Sequence, residues 1–441
     1  MTSPVHPEIP LWRRLALAVC MFLITATVGF LQPFVPLYLE ASGLSRQQIG
    51  IVSGVGAGLA FLVQPLLGHL SDYLDARRPI MSAAAALAGV AYLLYQTAHG
   101  AWAFILLTAL GVNGSFYLNA VGGVLIGRIV QGRQGGGTAY AQYRVWGSVG
   151  YVVVALLAGW LLSRGLHSGS GLSRSALDPV FAYGPLLFFA IAVICWLVPD
   201  GKSEPARVLT AASSRVRPAP LSQNVRAFLA AYFLYQFGLY GATAYLSLFL
   251  KSLGASPLWI TSTFAAGVVC EVLVMTQVGR WTDQYGRRPA MAIAFILMPL
   301  RLLCYIPAPN AMWVLVVQTL HGLNFGIMGA IAVVFINDSA GEGSRGLAQA
   351  RLAGVGGLSL AIAPAVCGWL VQHFGMGAMF AAMAGVGAVA ALLFMTLVHE
   401  SHPDARARLD GAGGSASRIL RWLAGAPANP RRAEPSDSEV V

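Results

Sequence analysis

Three ionisable residues stand inside long apolar runs: Glu271, Arg301 and His321. A charge at bilayer depth costs about 2.5–3.5 kcal/mol on insertion scales, so each is a candidate for chemistry. A carboxylate out of water beside a guanidinium is balanced between desolvation and ion pairing, and can load and release a proton as that balance shifts. An imidazole titrates near neutrality in water and can relay a proton or bind a ligand. Glu271 is therefore expected to carry a proton or anchor a ligand, with Arg301 and His321 as partners. Glu271 lies about fourteen residues and His321 about ten from the same end of their runs, so at 1.5 Å per residue their depths differ by only a few ångströms. Arg301 is nearer that end but long enough to reach, and a single network of three is expected. Gln318, His321 and Asn324 have i, i+3, i+6 spacing, which puts them on one helix face; that face is expected to line a cavity.

Softer candidates follow. Gln32, Asn113 and Asn119 read as buried amides able to hydrogen-bond a ligand. Arg144 can pair with an anion or serve as a basic anchor. Tyr235, Gln236 and Tyr240 can stack on or bond to a ring, or simply pack. Arginines outnumber carboxylates at depth, which favours an anionic or neutral ligand over a cation. No H-E-x-x-H, G-x-S-x-G or P-loop is present. His399-Glu400-Ser401-His402 has the wrong spacing for a zinc helix, so neither an enzyme nor a metal site is expected.

The elements that must position these residues are membrane helices. Of 441 residues, 57% are hydrophobic and 10% charged, against about 25% charged in soluble domains; the mean hydropathy is +0.67. A crossing helix needs about 20 apolar residues. Runs of that kind lie at 14–39, 46–70, 79–97, 101–127, 141–163, 180–198, 226–250, 257–280, 289–306, 311–337, 348–372 and 376–398. The first run is too long for a secretory signal and is followed by many more. Residues 1–13 read as an N-terminal segment and 199–225, rich in Pro, Ser and Arg, as a linker. Residues 399–441 read as a mostly disordered tail, in which 418–423 can form a short interfacial helix. If the N-terminus is cytoplasmic, inside segments hold 23 of the 28 Lys and Arg and outside segments four, with Arg301 within a run. That is the positive-inside pattern with both termini inside. It accounts for the net charge of +11 without nucleic acid. The five cysteines all lie in apolar runs and are odd in number, so no disulfide framework is expected.

The two halves repeat. Gly68-His-Leu-Ser-Asp72 with Arg77-Arg78 recurs as Gly279-Arg-Trp-Thr-Asp283 with Arg287-Arg288. Tyr38-Leu39-Glu40 with Gly43 recurs as Phe249-Leu250-Lys251 with Gly254, Ala141-Gln142-Tyr-Arg144 as Ala348-Gln349-Ala-Arg351, and Gly159-Trp160-Leu161 as Gly368-Trp369-Leu370. The offsets run from 207 to 211. Six helices and six more in the same orientation make a parallel repeat, the plan of transporters whose site lies between two rocking halves. Gly68 and Gly279 are expected to allow close backbone approach. Asp72 and Asp283 are expected to pair with the nearby arginines and face a helix N-terminus of the other half, as a cytoplasmic gate.

These paired motifs resemble the signature of the major facilitator superfamily, over about residues 14–398. Arg144-Val-Trp146-Gly147-Ser148-Val-Gly150 and Gln318-Thr-Leu-His321-Gly322-Leu-Asn324-Phe325-Gly326 resemble the branch of phenylpropionate permeases, lactose permeases and nucleoside–proton symporters. The resemblance implies an all-α membrane protein of twelve transmembrane helices in two six-helix bundles, 14–198 and 226–398, multi-pass in a bacterial inner membrane. It implies secondary active transport by alternating access: proton-coupled import of an aromatic acid or a similar small anionic or neutral solute. Proton-coupled export of drugs or metabolites, and nucleoside or sugar symport, share this plan; an intramembrane enzyme and a non-transporting receptor are remote alternatives. No cofactor beyond a proton gradient is expected. The expected partners are lipid, a small-molecule substrate and protons, with the chain monomeric. Against the lactose-permease pattern, Glu271, Arg301, His321 and Arg144 match functional positions, while a helix 10 carboxylate falls on Asn324 and a helix 4 carboxylate on Ile126. The sugar-binding pair is thus half missing, which argues against a galactoside.

Overall fold

A computed structural model describes residues 10–74, 76–130, 136–165, 172–198, 221–341 and 344–402, with the side chains of 72 and 123–142 outside the description. Most of the linker, the tail beyond 402 and its segment 418–423 lie outside the described residues. Among the described residues the chain forms thirteen α-helices and two short 3-10 turns. They are α1 (Leu11–Leu31), α2 (Val35–Ala41), α3 (Arg46–Tyr73), α4 (Arg77–Leu93), α5 (Gly100–Val130), α6 (Gly136–Gly165) and α7 (Arg174–Ile194), then α8 (Gln223–Ala244), α9 (Leu246–Ser252), α10 (Pro257–Tyr285), α11 (Arg287–Tyr305), α12 (Ala311–Ser339) and α13 (Arg345–Leu397).

Among the described residues, ten stretches are long and apolar enough to cross a membrane. One, α13, has 53 residues, more than twice a single crossing. Its Gly375 has φ 84°, which only glycine adopts freely, and the chain turns back there. The 22-residue α8 adds another crossing by length, its hydropathy lowered by tyrosines and glutamines. This is consistent with twelve crossings. Several helices start before their apolar runs: α6 begins at Gly136 and α7 at Arg174, where the Ser173 hydroxyl accepts from the Ala176 N–H. Hydropathy marks the part in hydrocarbon, whereas backbone bonding continues into the interface. Arg144, expected at a helix start, therefore sits two turns inside α6.

The repeat extends to the backbone. The first apolar run breaks at Gln32-Pro33-Phe34 between α1 and α2, and the seventh breaks at Tyr245 between α8 and α9. Gly43 and Gly254, one repeat apart, have φ 86° and 76° and end the two short helices. Ser45 and Gln48 then form a reciprocal capping box at the start of α3, and Ser256 caps α10. In the first half α1 packs on α6 and α7, and α4 on α5 and α7; in the second α8 packs on α13, and α12 on α10 and α11. Rings fill both interiors, with Tyr95 stacked 4.9 Å from Phe181 and Phe295 4.3 Å from Phe394.

The halves meet where α3 crosses α13, α6 crosses α10 and α2 touches α9. The closest crossings lie on the side away from the arginine-rich α3–α4 and α10–α11 loops. A Cβ on Gly368 would lie 2.7 Å from the Arg46 carbonyl, and a Cβ on Gly159 would lie 2.9 Å from the Pro257 carbonyl. Gly159 and Gly368 are repeat partners, as are Arg46 and Pro257, so these are two copies of one contact. Gly68 and Gly279 behave differently. Among the described residues nothing lies within 4 Å of a Cβ built on either, which corrects the expectation of close approach there. Small residues are needed where backbones touch, and in this conformation they touch on the opposite side.

Candidate functional site

The buried polar chemistry is concentrated between α8, α10, α11 and α12. Arg301 of α11 is 1% exposed, and its guanidinium donates to His321 Nδ1 of α12 at 2.6 Å. A guanidinium can only donate, so Nδ1 accepts and His321 is unprotonated there. Arg301 Nε has no hydrogen-bond partner, and no carboxylate pairs with Arg301 among the described residues. The Tyr305 hydroxyl donates to Gln318 Oε1, and the Arg301 guanidinium lies 6.0 Å from the Tyr305 ring centre. The Asn324 amide donates to the Ala294 carbonyl at 2.7 Å, and the Tyr235 hydroxyl bonds the Asn324 carbonyl at 3.4 Å.

Gln318, His321 and Asn324 do share a face, but it is packed inside the second bundle. Gln318 and Asn324 are buried, and the His321 ring lies against Gly267 of α10. The expectation that this face lines a cavity is not met at Gln318 and Asn324, which are buried in this conformation. The expected three-membered network is also divided. Glu271, midway along α10, makes no hydrogen bond among the described residues; the cation acting on it electrostatically is Arg144 of α6. Depth from a helix end places Glu271 and His321 at nearly one level but leaves their direction around the helix open, so the two have different neighbours.

Gln236 of α8 donates to the Tyr232 and Tyr240 hydroxyls at 2.9 and 3.1 Å, a small polar cluster within the bundle. The first-half amides are less enclosed than expected. Gln32 and Asn119 are exposed, and Asn113 and Asn119 donate to the Ala109 and Ser115 carbonyls one turn back. Isolated in apolar sequence, they read as buried, but Asn113 and Asn119 satisfy their amide N–H groups within their own helix.

The arginine-rich loops hold ion pairs and helix caps. Arg287 bonds Asp283 at 2.5 Å and Asp338 at 3.3 Å, all within the second half. The Asp72 and Ile126 side chains lie outside the described residues. Arg288 donates to the Val398 and Met395 carbonyls at the end of α13, and Arg78 to the Val198 carbonyl just after α7. These two repeat partners cap helix C-termini, where a cation is favoured. Arg77 is buried. Glu400 accepts from the Arg287 and Arg288 backbone N–H groups and so caps α11.

One cross-half cluster escaped notice in the sequence. Glu40 of α2 bonds Lys251 of α9 at 2.8 Å and Arg46 at 2.5 Å, Tyr245 donates to the Arg46 carbonyl at 2.8 Å, and the Arg46 N–H bonds Gln372 at 3.1 Å. Glu40 and Lys251 are repeat partners 211 residues apart, and a two-fold axis between the halves brings such partners together near itself. The aligned repeat carried that signal.

Two repeated helical bundles, meeting tightly on one side with polar groups buried mid-helix, define a secondary transporter. The chain belongs to the MFS_1 like family, whose model matches residues 14–382. It is 25% identical over 370 residues to the maltose permease of Geobacillus stearothermophilus, covering 83% of this chain and 90% of that one. It is 25% identical over 365 residues to the probable 3-phenylpropionic acid transporter of Escherichia coli (strain K12), covering 82% and 92%. Its fold matches the crystal structure of the nucleoside transporter NupG with a TM-score of 0.68 at 17% identity, over 87% of this chain and 98% of that one. The protein is thus a multi-pass membrane transporter of small solutes and not an enzyme, and its bacterial relatives indicate an inner membrane.

Proposed function

We propose that this transporter imports a small organic anion together with a proton, an aromatic carboxylic acid being the best-supported class. The observation that carries the reading is Arg301, a guanidinium 1% exposed whose one side-chain hydrogen-bond partner among the described residues is an imidazole nitrogen that accepts from it. A buried charge without a counter-ion is costly, and an incoming carboxylate relieves that cost. Glu271 is the one carboxylate at mid-helix depth among the described residues. Its charged neighbour Arg144 belongs to the other half, so rocking of the halves changes what Glu271 faces. That makes Glu271 the proton carrier in this reading, and Asn324 leaves no carboxylate beside His321 to share the task. The aromatic preference rests on the tyrosines around Gln236 and Arg301 and on the similarity to the 3-phenylpropionic acid transporter.

Purified protein in liposomes with an acidic exterior tests this against 3-phenylpropionate, maltose and uridine. The expected result is accumulation of the acid, abolished by a protonophore. Glu271→Gln is expected to equilibrate the acid without concentrating it. Accumulation by that variant equal to the parent removes the coupling role. Uptake of maltose or uridine but not of acids overturns the substrate class, and proton-driven expulsion in place of uptake overturns import.

A further inference from the structure

A groove of about 830 Å³ lies between the first turns of α8 and α13 on the arginine-rich side, floored by apolar residues including Ala230, Phe233, Leu358 and Leu393. Its volume falls within the range of about 300–1,000 Å³ usual for small-molecule sites. It opens onto the apolar outer surface of the helices, where its lining residue Leu358 is 50% exposed. Arg226 and Arg351 also line it. Both are exposed, and neither side chain makes a hydrogen bond or ion pair among the described residues.

The repeat explains why Arg351 has no partner among the described residues. It is the counterpart of Arg144, whose charged neighbour is Glu271. The residue 211 before Glu271 is Ala60, and the adjacent Phe61 ring packs against Gly354 and Gly357 of α13. Where the first half's arginine has a carboxylate within electrostatic reach, the matching position around the second half's arginine is apolar. Arg226 and Arg351 lie within two turns of the start of their helices, at the height where long basic side chains reach lipid headgroups. Basic pockets between helices on the cytoplasmic side suit anionic headgroups.

We propose that this groove binds one anionic phospholipid of the surrounding bilayer, its phosphate between Arg226 and Arg351 and an acyl chain along the apolar floor. The full-length protein in neutral detergent, titrated with palmitoyl-oleoyl phosphatidylglycerol or with phosphatidylcholine of the same chains and observed by native mass spectrometry, tests it. One phosphatidylglycerol is expected to be retained at least about tenfold more tightly than phosphatidylcholine. At about 1 kcal/mol per basic residue near the surface, Arg226→Gln and Arg351→Gln each weaken retention about fivefold, and the double variant loses the preference. Ala230→Trp fills the floor, leaves both arginines in place and is expected to lose the lipid as well. The pair Arg280→Gln and Arg345→Gln, exposed on the same side outside the groove, is expected to change nothing. Equal retention of the two lipids, equal loss in the Arg280/Arg345 pair, unchanged retention in Ala230→Trp, or displacement by inorganic phosphate alone overturns the proposal. So does occupancy of the groove by a segment of the chain itself.

Discussion

At the scale of single residues, the second bundle is held by polar pairs with no water to replace a lost partner. Tyr305 and Gln318 are both buried, and the tyrosine hydroxyl is the donor on the amide oxygen. Tyr305→Phe removes that donor and strands a buried acceptor, at an expected cost of about 1–3 kcal/mol. The loss reads as a lower melting temperature of the purified protein. Removing both partners is different: Tyr305→Phe with Gln318→Leu leaves nothing unsatisfied and is expected to recover most of the stability. If the double variant is no better than the single, the hydrogen bond is not what Tyr305 contributes. Arg301 has no such remedy, because its charge persists whatever His321 becomes, which is why it carries the functional reading rather than a structural one.

At the scale of helices, the two glycine crossings decide which side is shut. At Gly159 and Gly368 there is no room for a side chain against the opposing backbone, whereas Gly68 and Gly279 face open space. Gly159→Leu and Gly368→Leu are expected to wedge the halves apart there, while Gly68→Leu leaves that side closed. Spin labels replacing Arg164 and Ser252, at the ends of α6 and α9, report it: the distance lengthens in the first two variants and not in the third. The helices themselves were legible in the sequence, because twenty apolar residues have few other fates in lipid, and the repeat gave their pairing. What each helix face touches was not legible. Arg301 and His321 stood out as costly charges and do meet, yet Glu271, equally conspicuous, is acted on by Arg144 of the other half, because direction around a helix depends on tertiary packing. The glycines of the repeated loops look like contact points by composition, and only the conformation shows that another set of glycines is in contact.

At the scale of the whole molecule, alternating access requires that the closed side open, and the Glu40–Lys251 bridge lies across that opening. The bridge joins two repeat partners of opposite charge on the two halves, at a place where a two-fold axis brings partners together. Arg46 shares the same carboxylate, so Glu40 ties α2, α3 and α9 at one point. Exposed ion pairs contribute little alone; this one is partly shielded and reinforced by Tyr245 on the Arg46 carbonyl, which makes it a latch that can break without large cost. Replacing Glu40 and Lys251 with cysteines and joining them with a short bifunctional thiol reagent, in a background lacking the five native cysteines, is expected to abolish transport. A cleavable linker restores it on reduction, whereas the same reagent on either single cysteine leaves transport largely intact. Solute binding from the arginine-rich side survives the cross-link, because that is the side still open. Transport that continues with the linker in place would mean that α2 and α9 move together as one body, and that the halves separate elsewhere.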